Sequence, residues 1–315
     1  MGGVWYNKGM ITYYFRSKKE DVLEVREDIR PGTWVHAENP TQEELDTLAG
    51  ELGLDRGLLG DAVDFYEVPR FEDENEVAYF YTRFPHESNG EIGTAPMLFA
   101  VTPTAVVTVS RQHPAFLNGY IEGKALLYTT QRTKLFLQLV QAVNSSYRRT
   151  LVTIRKNVQK SRVNLRNIKN ADIVRLVSFE TTLNDFLAAL TPTHTALRTV
   201  LSQGHLELFD DDRDLVEDIQ LENQQIVESA KANLKTIQNI RSSYTAIVTN
   251  NLNSVIKLLT SLTIILTIPT VLGSLYGMNV PLPFAESPFA FFGIVLAAVL
   301  VMGVAALLFS KRDWL

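Results

Sequence analysis

The chain has 315 residues, 46% of them hydrophobic and 21% charged, with a formal net charge of −5 at pH 7. A mean hydropathy of +0.01 is high for a water-soluble protein, and a pI near 5.6 argues against a general nucleic-acid binder. The absence of cysteine excludes disulfides, thiolate metal sites and cysteine catalysis, and fits a reducing compartment.

The N-terminal Met1-Gly2-Gly3-Val4-Trp5-Tyr6 has no apolar run of signal-peptide length. Tyr6 stands where a myristoylation site after Gly2 needs Ser or Thr, so neither a leader nor lipidation is expected. Residues 1–124 are predicted as a mixed α/β domain. Runs rich in Val, Tyr, Phe and Thr predict strands over Met10–Phe15, Thr33–Ala37, Val77–Phe84, Ala95–Val101 and Ala105–Ser110. Thr41–Leu52 is predicted as a helix, with Thr41 as N-cap and Glu44 completing a capping box. Glu87-Ser88-Asn89-Gly90 carries the turn chemistry of a hairpin.

Long helices are predicted over residues 125–252. Apolar residues recur at three and four from about Ala125, with no proline before Pro192. A second run starts near Asp211 or Asp212 and has no proline before Pro269. Its apolar stripe (Leu215, Ile219, Ile226, Ala230, Ile237, Tyr244, Ile247, Val255) merges into an uncharged segment without a breaker. Such a helix would be about 55–58 residues and ~85 Å long, a stalk whose stripe packs on copies of itself or on a neighbouring helix.

From Leu258 onward the only charged residues are Glu286, Lys311, Arg312 and Asp313. The uncharged stretches Leu258–Ala285 and Ser287–Ser310 each exceed the ~20 residues that cross a ~30 Å hydrocarbon core. An integral membrane protein is therefore expected: a first membrane helix over 253–279, a short loop over 280–287, a second helix over 288–310, and a basic tail over 311–315. Lys311, Arg312 and Lys257 flank the spans while Val280–Ser287 has no Lys or Arg, which predicts an external loop and cytoplasmic termini.

The first membrane helix is the informative one. Asn253, Ile256, Thr260, Thr263, Thr267, Thr270 and Ser274 follow a 3-4-3-4-3-4 spacing and share one face. Two readings stand: hydroxyls that glue helices or bond back to their own carbonyls, or a pore lining whose hydroxyls face water. Pro269 predicts a kink or local loosening. Beyond it, Tyr276-Gly277-Met278-Asn279 offers a glycine free to take an unusual backbone path and a neutral carboxamide acceptor at the mouth. The competing reading of Gly277-Met278-Asn279 is an ordinary helix C-cap.

Tyr276-Gly277-Met278-Asn279, placed after a proline-containing span and before a short loop and a second C-terminal span, resembles the signature of the CorA family of magnesium transporters. The likeness extends to Asp64-Phe65-Tyr66-Glu67-Val68-Pro69-Arg70 in the N-terminal domain. It includes Asp214-Leu215-Val216-Glu217-Asp218 and Glu222-Asn223-Gln224-Gln225 at the start of the long helix. The resemblance implies an α+β cytoplasmic domain with long stalk helices and two transmembrane helices, assembled as a homopentameric funnel in the cell membrane. It implies Mg²⁺ influx driven by the membrane potential, with Mg²⁺ as cargo and regulator and no cofactor. Asn279 and the backbone at Gly277 would form the ring that captures hydrated Mg²⁺. Asn253, Thr263, Thr267, Thr270 and Ser274 would line the pore, with Ile256 and Leu259 at an inner hydrophobic constriction. Thr267 stands where some relatives carry a large apolar gate residue.

The resemblance further implies closure by cytoplasmic divalent ions at acidic sites between subunits, with Asp218 and Glu87 as the candidate carboxylates. Both also read as solvated acidic surface, and Asp210-Asp211-Asp212 reads as N-cap and dipole-complementing acids. One departure from the family is basic. Lys124–Lys169 holds Lys124, Arg132, Lys134, Arg148, Arg149, Arg155, Lys156, Lys160, Arg162, Arg166 and Lys169 with no acid. It reads as a solvated helix face, or as a surface for an anion or anionic headgroups. Transport of Zn²⁺, Co²⁺ or Ni²⁺ and a membrane-anchored sensor or scaffold are the alternatives. An enzyme is not expected, and His36, His86, His113, His194 and His205 lack ligand spacing.

Overall fold

The computed structural model describes residues 11–20, 22–88, 90–163, 168–202, 206, 208–280, 283, 287–312 and 314. Met1–Tyr6, Met10, Asn89, Arg166, His205, Glu286, Asp313 and Leu315 lie outside the described residues, as does the side chain of Arg162. The chain divides into two compact units, Met1–Asn239 and Ile240–Leu315.

The first unit is built on strands β1 (Ile11–Phe15), β2 (Glu24–Arg26), β3 (Thr33–Glu38), β4 (Arg70–Glu74), β5 (Val77–Ser88), β6 (Glu91–Val101) and β7 (Ala105–Ser110). They form one sheet in the order β2-β1-β3-β7-β6-β5-β4. Only β3 and β7 pair in parallel, with Val35 opposite Val107. Helices α1 (Gln42–Leu52) and α2 (Arg56–Asp61) cover one face, where Leu45, Leu48 and Leu59 pack on Val35, Tyr79, Tyr81, Leu98 and Val107. The opposite face packs on α4 (Arg132–Val163) and α5 (Asn170–Ser202), with Phe136 5.4 Å from Phe80 and 6.0 Å from Phe99, ring to ring. A sheet covered on both sides explains why the central strands read as continuous apolar runs rather than alternating ones.

The capping box at Thr41 is present: its hydroxyl accepts from Glu44 N at 3.3 Å, and Thr41 N donates to the Glu44 carboxylate at 2.8 Å. Three features depart from the sequence reading. Strands β2 and β4 were not anticipated, because both are polar edge strands without an apolar run. Strand β5 extends past Pro85 and β6 starts at Glu91, ahead of the predicted Ala95, so that Ser88 pairs with Glu91 around Gly90 at φ +81. The long helices predicted from about Ala125 are α4 and α5, and Pro192 lies inside α5 rather than between helices. The short helical segments Ala115–Leu117 and α3 (Asn118–Ile121) precede α4.

Helix α6 spans Asp210–Tyr276, 67 residues. Asp212 is buried and its carboxylate accepts from Phe209 N at 3.3 Å, so the three acids occupy the first turn, where they complement the helix dipole, and the N-cap position falls on Phe209 before them. The initial turns of α6 meet α4 through a buried polar pair. Asn144 donates to Ile219 O at 3.0 Å, and Asn223 donates to Asn144 Oδ1 at 3.4 Å. Helix α7 (Ala290–Lys311) completes the second unit.

Candidate functional site

Helices α6 and α7 are each long and apolar enough to cross a membrane. The 22 residues of α7 correspond to ~33 Å of helix, matched to a ~30 Å hydrocarbon core. The tail beyond α7 turns back: Trp314 stacks on Phe309 at 5.6 Å, and its carbonyl accepts from the Ser261 hydroxyl at 3.4 Å. Ser261 is thereby buried, and Ile265, Ile268 and Leu272 continue as a half-covered strip along α6. Sequence reasoning missed Ser261, a lone serine off the polar row whose only signal was this 4-3-4 spacing to apolar residues.

The polar row lies elsewhere on the helix. At ~100° per residue it is centred roughly 140° around the axis from the Ser261–Leu272 strip. Asn253, Ile256, Thr260, Thr263, Thr267, Thr270 and Ser274 are all exposed, so none of the described residues covers this face. Leu259 is 63% exposed and sits beside the row, roughly 70° from its centre. Three of the row's hydroxyls bond back along the helix: Thr263 to Leu259 O at 2.8 Å, Thr267 to Thr263 O at 2.7 Å and Thr270 to Leu266 O at 3.1 Å. Each proton is therefore committed inward, which leaves the oxygen lone pairs outward as acceptors. Back-bonding and a water-facing lining are thus compatible.

Pro269 does not end α6, which remains helical to Tyr276. The expectation of an unusual backbone path at Gly277 is corrected. Its φ is not left-handed, and its N–H donates to Gly273 O at 3.0 Å, one more helical bond. A Cβ there would lie 3.3 Å from Gly273 O and 3.7 Å from Ser274 O, the carbonyls of the preceding turn. Met278 N then bonds Leu275 O at 3.3 Å. Met278 and Asn279 are exposed, and the Tyr276 hydroxyl donates to Pro283 O at 3.4 Å.

The two regulatory candidates lie in the first unit. Asp218 is exposed in the third turn of α6, and Glu87 is exposed near the end of β5, paired with Ile92. Among the described residues no three His, Asp or Glu side chains converge to hold a metal ion. The titrating cluster that does form was not anticipated. Glu38 lies 3.8 Å from His36 Nε2 and 2.7 Å from His113 Nδ1, and the two imidazoles hold its carboxyl down at about 2.

A water-soluble α/β unit followed by a long helix and two membrane-crossing segments defines an integral membrane protein, with an uncovered polar row on its first span. The profile of the CorA-like Mg²⁺ transporter proteins matches residues 32–312. This chain belongs to that family. It is 22% identical over 320 residues to the "Cobalt/magnesium transport protein CorA" of Methanocaldococcus jannaschii, covering 97% of this chain and 100% of that one. The complete structure of the CorA magnesium transporter from the same organism superimposes with a TM-score of 0.87 at 18% identity, covering 98% and 100% of the two chains. The ZntB cytoplasmic domain from Vibrio parahaemolyticus shares the fold of the soluble part, with a TM-score of 0.64 at 11% identity over 77% of this chain and 99% of that one.

Proposed function

We propose that this chain is a divalent-cation channel that admits Mg²⁺ to the cell, as a homopentamer in the cell membrane. The observation that carries the reading is the uncovered row from Asn253 to Ser274, continued by Gly277-Met278-Asn279 and facing away from the side that α7 and the tail cover. Two spans per chain cannot enclose a pore, so several copies must supply one. Five such rows would line it, with Ile256 and Leu259 forming the constriction at its inner end.

The chemistry suits a hydrated cation. Mg²⁺ sheds water reluctantly, so the pore meets its first hydration shell, whose O–H groups point outward as donors. The oxygens of Thr263, Thr267 and Thr270, their protons already committed to the helix, and the Asn279 carboxamide oxygen are acceptors for those donors. Neutral acceptors hold the ion weakly enough for it to leave again. With cytoplasmic termini, a negative-inside potential of 100 mV favours entry by ~4.6 kcal/mol per Mg²⁺, from ~2.3 per elementary charge. Asp218 and Glu87, exposed and without ion-pair partners among the described residues, would take part in divalent-ion closure between copies. Co²⁺ is the second cargo to test, because the relative matched over its whole length is a cobalt/magnesium transport protein.

The test is ion flux into liposomes carrying purified protein, with dye inside and an inward-driving potential, for wild type and Asn279→Ala. Mg²⁺ influx that the substitution abolishes, at unchanged oligomeric mass, supports the capture ring. Flux unaffected by Asn279→Ala removes the ring. No Mg²⁺ flux at all, with Co²⁺, Ni²⁺ or Zn²⁺ flux present, changes the cargo.

A further inference from the structure

The basic stretch is not absorbed by the conduction pathway. On the second half of α4, Arg148 pairs with Glu222 of α6 at 3.2 Å. Arg149, Arg155, Lys156 and Lys160 are exposed and have no ion-pair partner among the described residues. From Arg149 to Lys160 these cations run for ~17 Å along one side of the helix.

A feature of complementary chemistry lies across the same unit. A cleft of about 570 Å³ opens between the segment Phe65–Pro69, the β5–β6 hairpin and α5. Arg83 holds one wall, donating to Phe65 O at 2.8 Å, Glu67 O at 2.9 Å and Thr94 O at 2.9 Å. Asp185 and Glu91 line the cleft without a hydrogen-bond or ion-pair partner among the described residues. Partial burial pushes the Asp185 carboxyl up while Arg83 pulls it down, so another cation nearby would stabilise its charge. Phe65 and Tyr66, edge to face at 5.2 Å, form the lip, and Tyr66 is 83% exposed. Ring faces and unpaired carboxylates together suit ammonium or guanidinium groups.

The two features also lie at one height. Tyr147 of α4 donates to Arg83 O at 3.0 Å and packs edge-on against Phe186 at 4.8 Å. The six residues between Val163 and Asn170 cannot return the chain along a 33-residue helix, so α5 runs antiparallel to α4. Thr182, one turn before Phe186, donates to Ile92 O at 2.8 Å beside Glu91. The cleft thus extends from the level of Tyr147 toward that of Arg155.

We propose that neighbouring copies join through a heterologous contact in which the cationic face of α4 on one copy enters the acidic–aromatic cleft beside α5 on the next. This rests on the ring assembly proposed above. It adds to the soluble interface a contact of fixed side-chain charges, separate from the Asp218 and Glu87 carboxylates and weakened by salt.

The absence of cysteine makes the test clean. Lys156→Cys and Glu91→Cys, both at exposed positions, are introduced into the full-length protein in detergent and treated with a short bismaleimide in chelator. The double variant is expected to give a denaturing-gel ladder in steps of 35.4 kDa. Co-assembled single variants should give dimers and nothing larger. Native oligomeric mass with monomers alone on the gel overturns the contact while leaving the ring intact. A wild-type protein of monomeric mass instead removes the ring and the contact with it. As a second readout, Arg155→Glu with Lys156→Glu should cut cross-linking of a Lys160→Cys/Glu91→Cys pair several-fold, and Asp185→Lys should restore it. An unchanged yield also overturns the proposal.

Discussion

The polar pair between α4 and α6 allows a prediction with a definite sign. Asn144 and Asn223 are 1% and 0% exposed, and Asn223 Oδ1 has no hydrogen-bond partner. An orphaned buried acceptor costs about 1–3 kcal/mol, and leucine has nearly the shape of asparagine. In Asn144→Leu, both polar atoms of Asn223 are stranded, so stability should fall by about 1–3 kcal/mol. Asn223→Leu exchanges one orphan for another, the Asn144 Oδ1, and adds apolar burial, so it should be close to neutral. The double substitution leaves no orphan and should stabilise by about 1–3 kcal/mol, so the two changes are strongly non-additive. The first unit spans 239 residues, for which each kcal/mol shifts Tm by about 2–4 °C. Trp34, fully buried in that unit, reports its melting by fluorescence in the intact detergent-solubilised protein. Equal losses for both single variants that sum in the double would refute the reasoning, because the pair would then be fully satisfied.

Two further perturbations follow from the same geometry. Glu38 is held at about 2, below its ordinary 4.5, by His36 and His113, so its stabilising contribution is present above about pH 4.5 and lost as pH falls toward 2. The Tm gap between wild type and Glu38→Gln should shrink across that window, and a constant gap would sink the assignment. Gly277→Ala places a methyl 3.3 Å from Gly273 O, which must give by a few tenths of an ångström. Liposome Mg²⁺ flux should fall at unchanged oligomeric mass, and undiminished flux would show that Gly277 serves only as a helix end.

What could be read from sequence follows from where the information is local. Thr41 and Glu44 lie three residues apart and satisfy each other, so the α1 start was legible. Charge segregation after Leu258 is a property of composition, and the bilayer acts on composition directly. By contrast, β2 and β4 exist because β1 and β5 offer them unpaired backbone, a partner no local pattern encodes. Pro85 and Pro192 read as breakers yet lie inside β5 and α5, where the surrounding packing holds the element together.

The same division runs through the candidate site. The 3-4 spacing of Asn253 to Ser274 and the motif at Gly277-Met278-Asn279 were set by sequence alone, since helical periodicity maps spacing onto a face. Which face stays uncovered was decided by tertiary structure, through Trp314 folding back on Ser261. Tertiary structure likewise brought Asp185 beside Phe65 and Tyr66, and set Asn144 against Asn223, because contacts between residues tens of positions apart depend on how the elements pack.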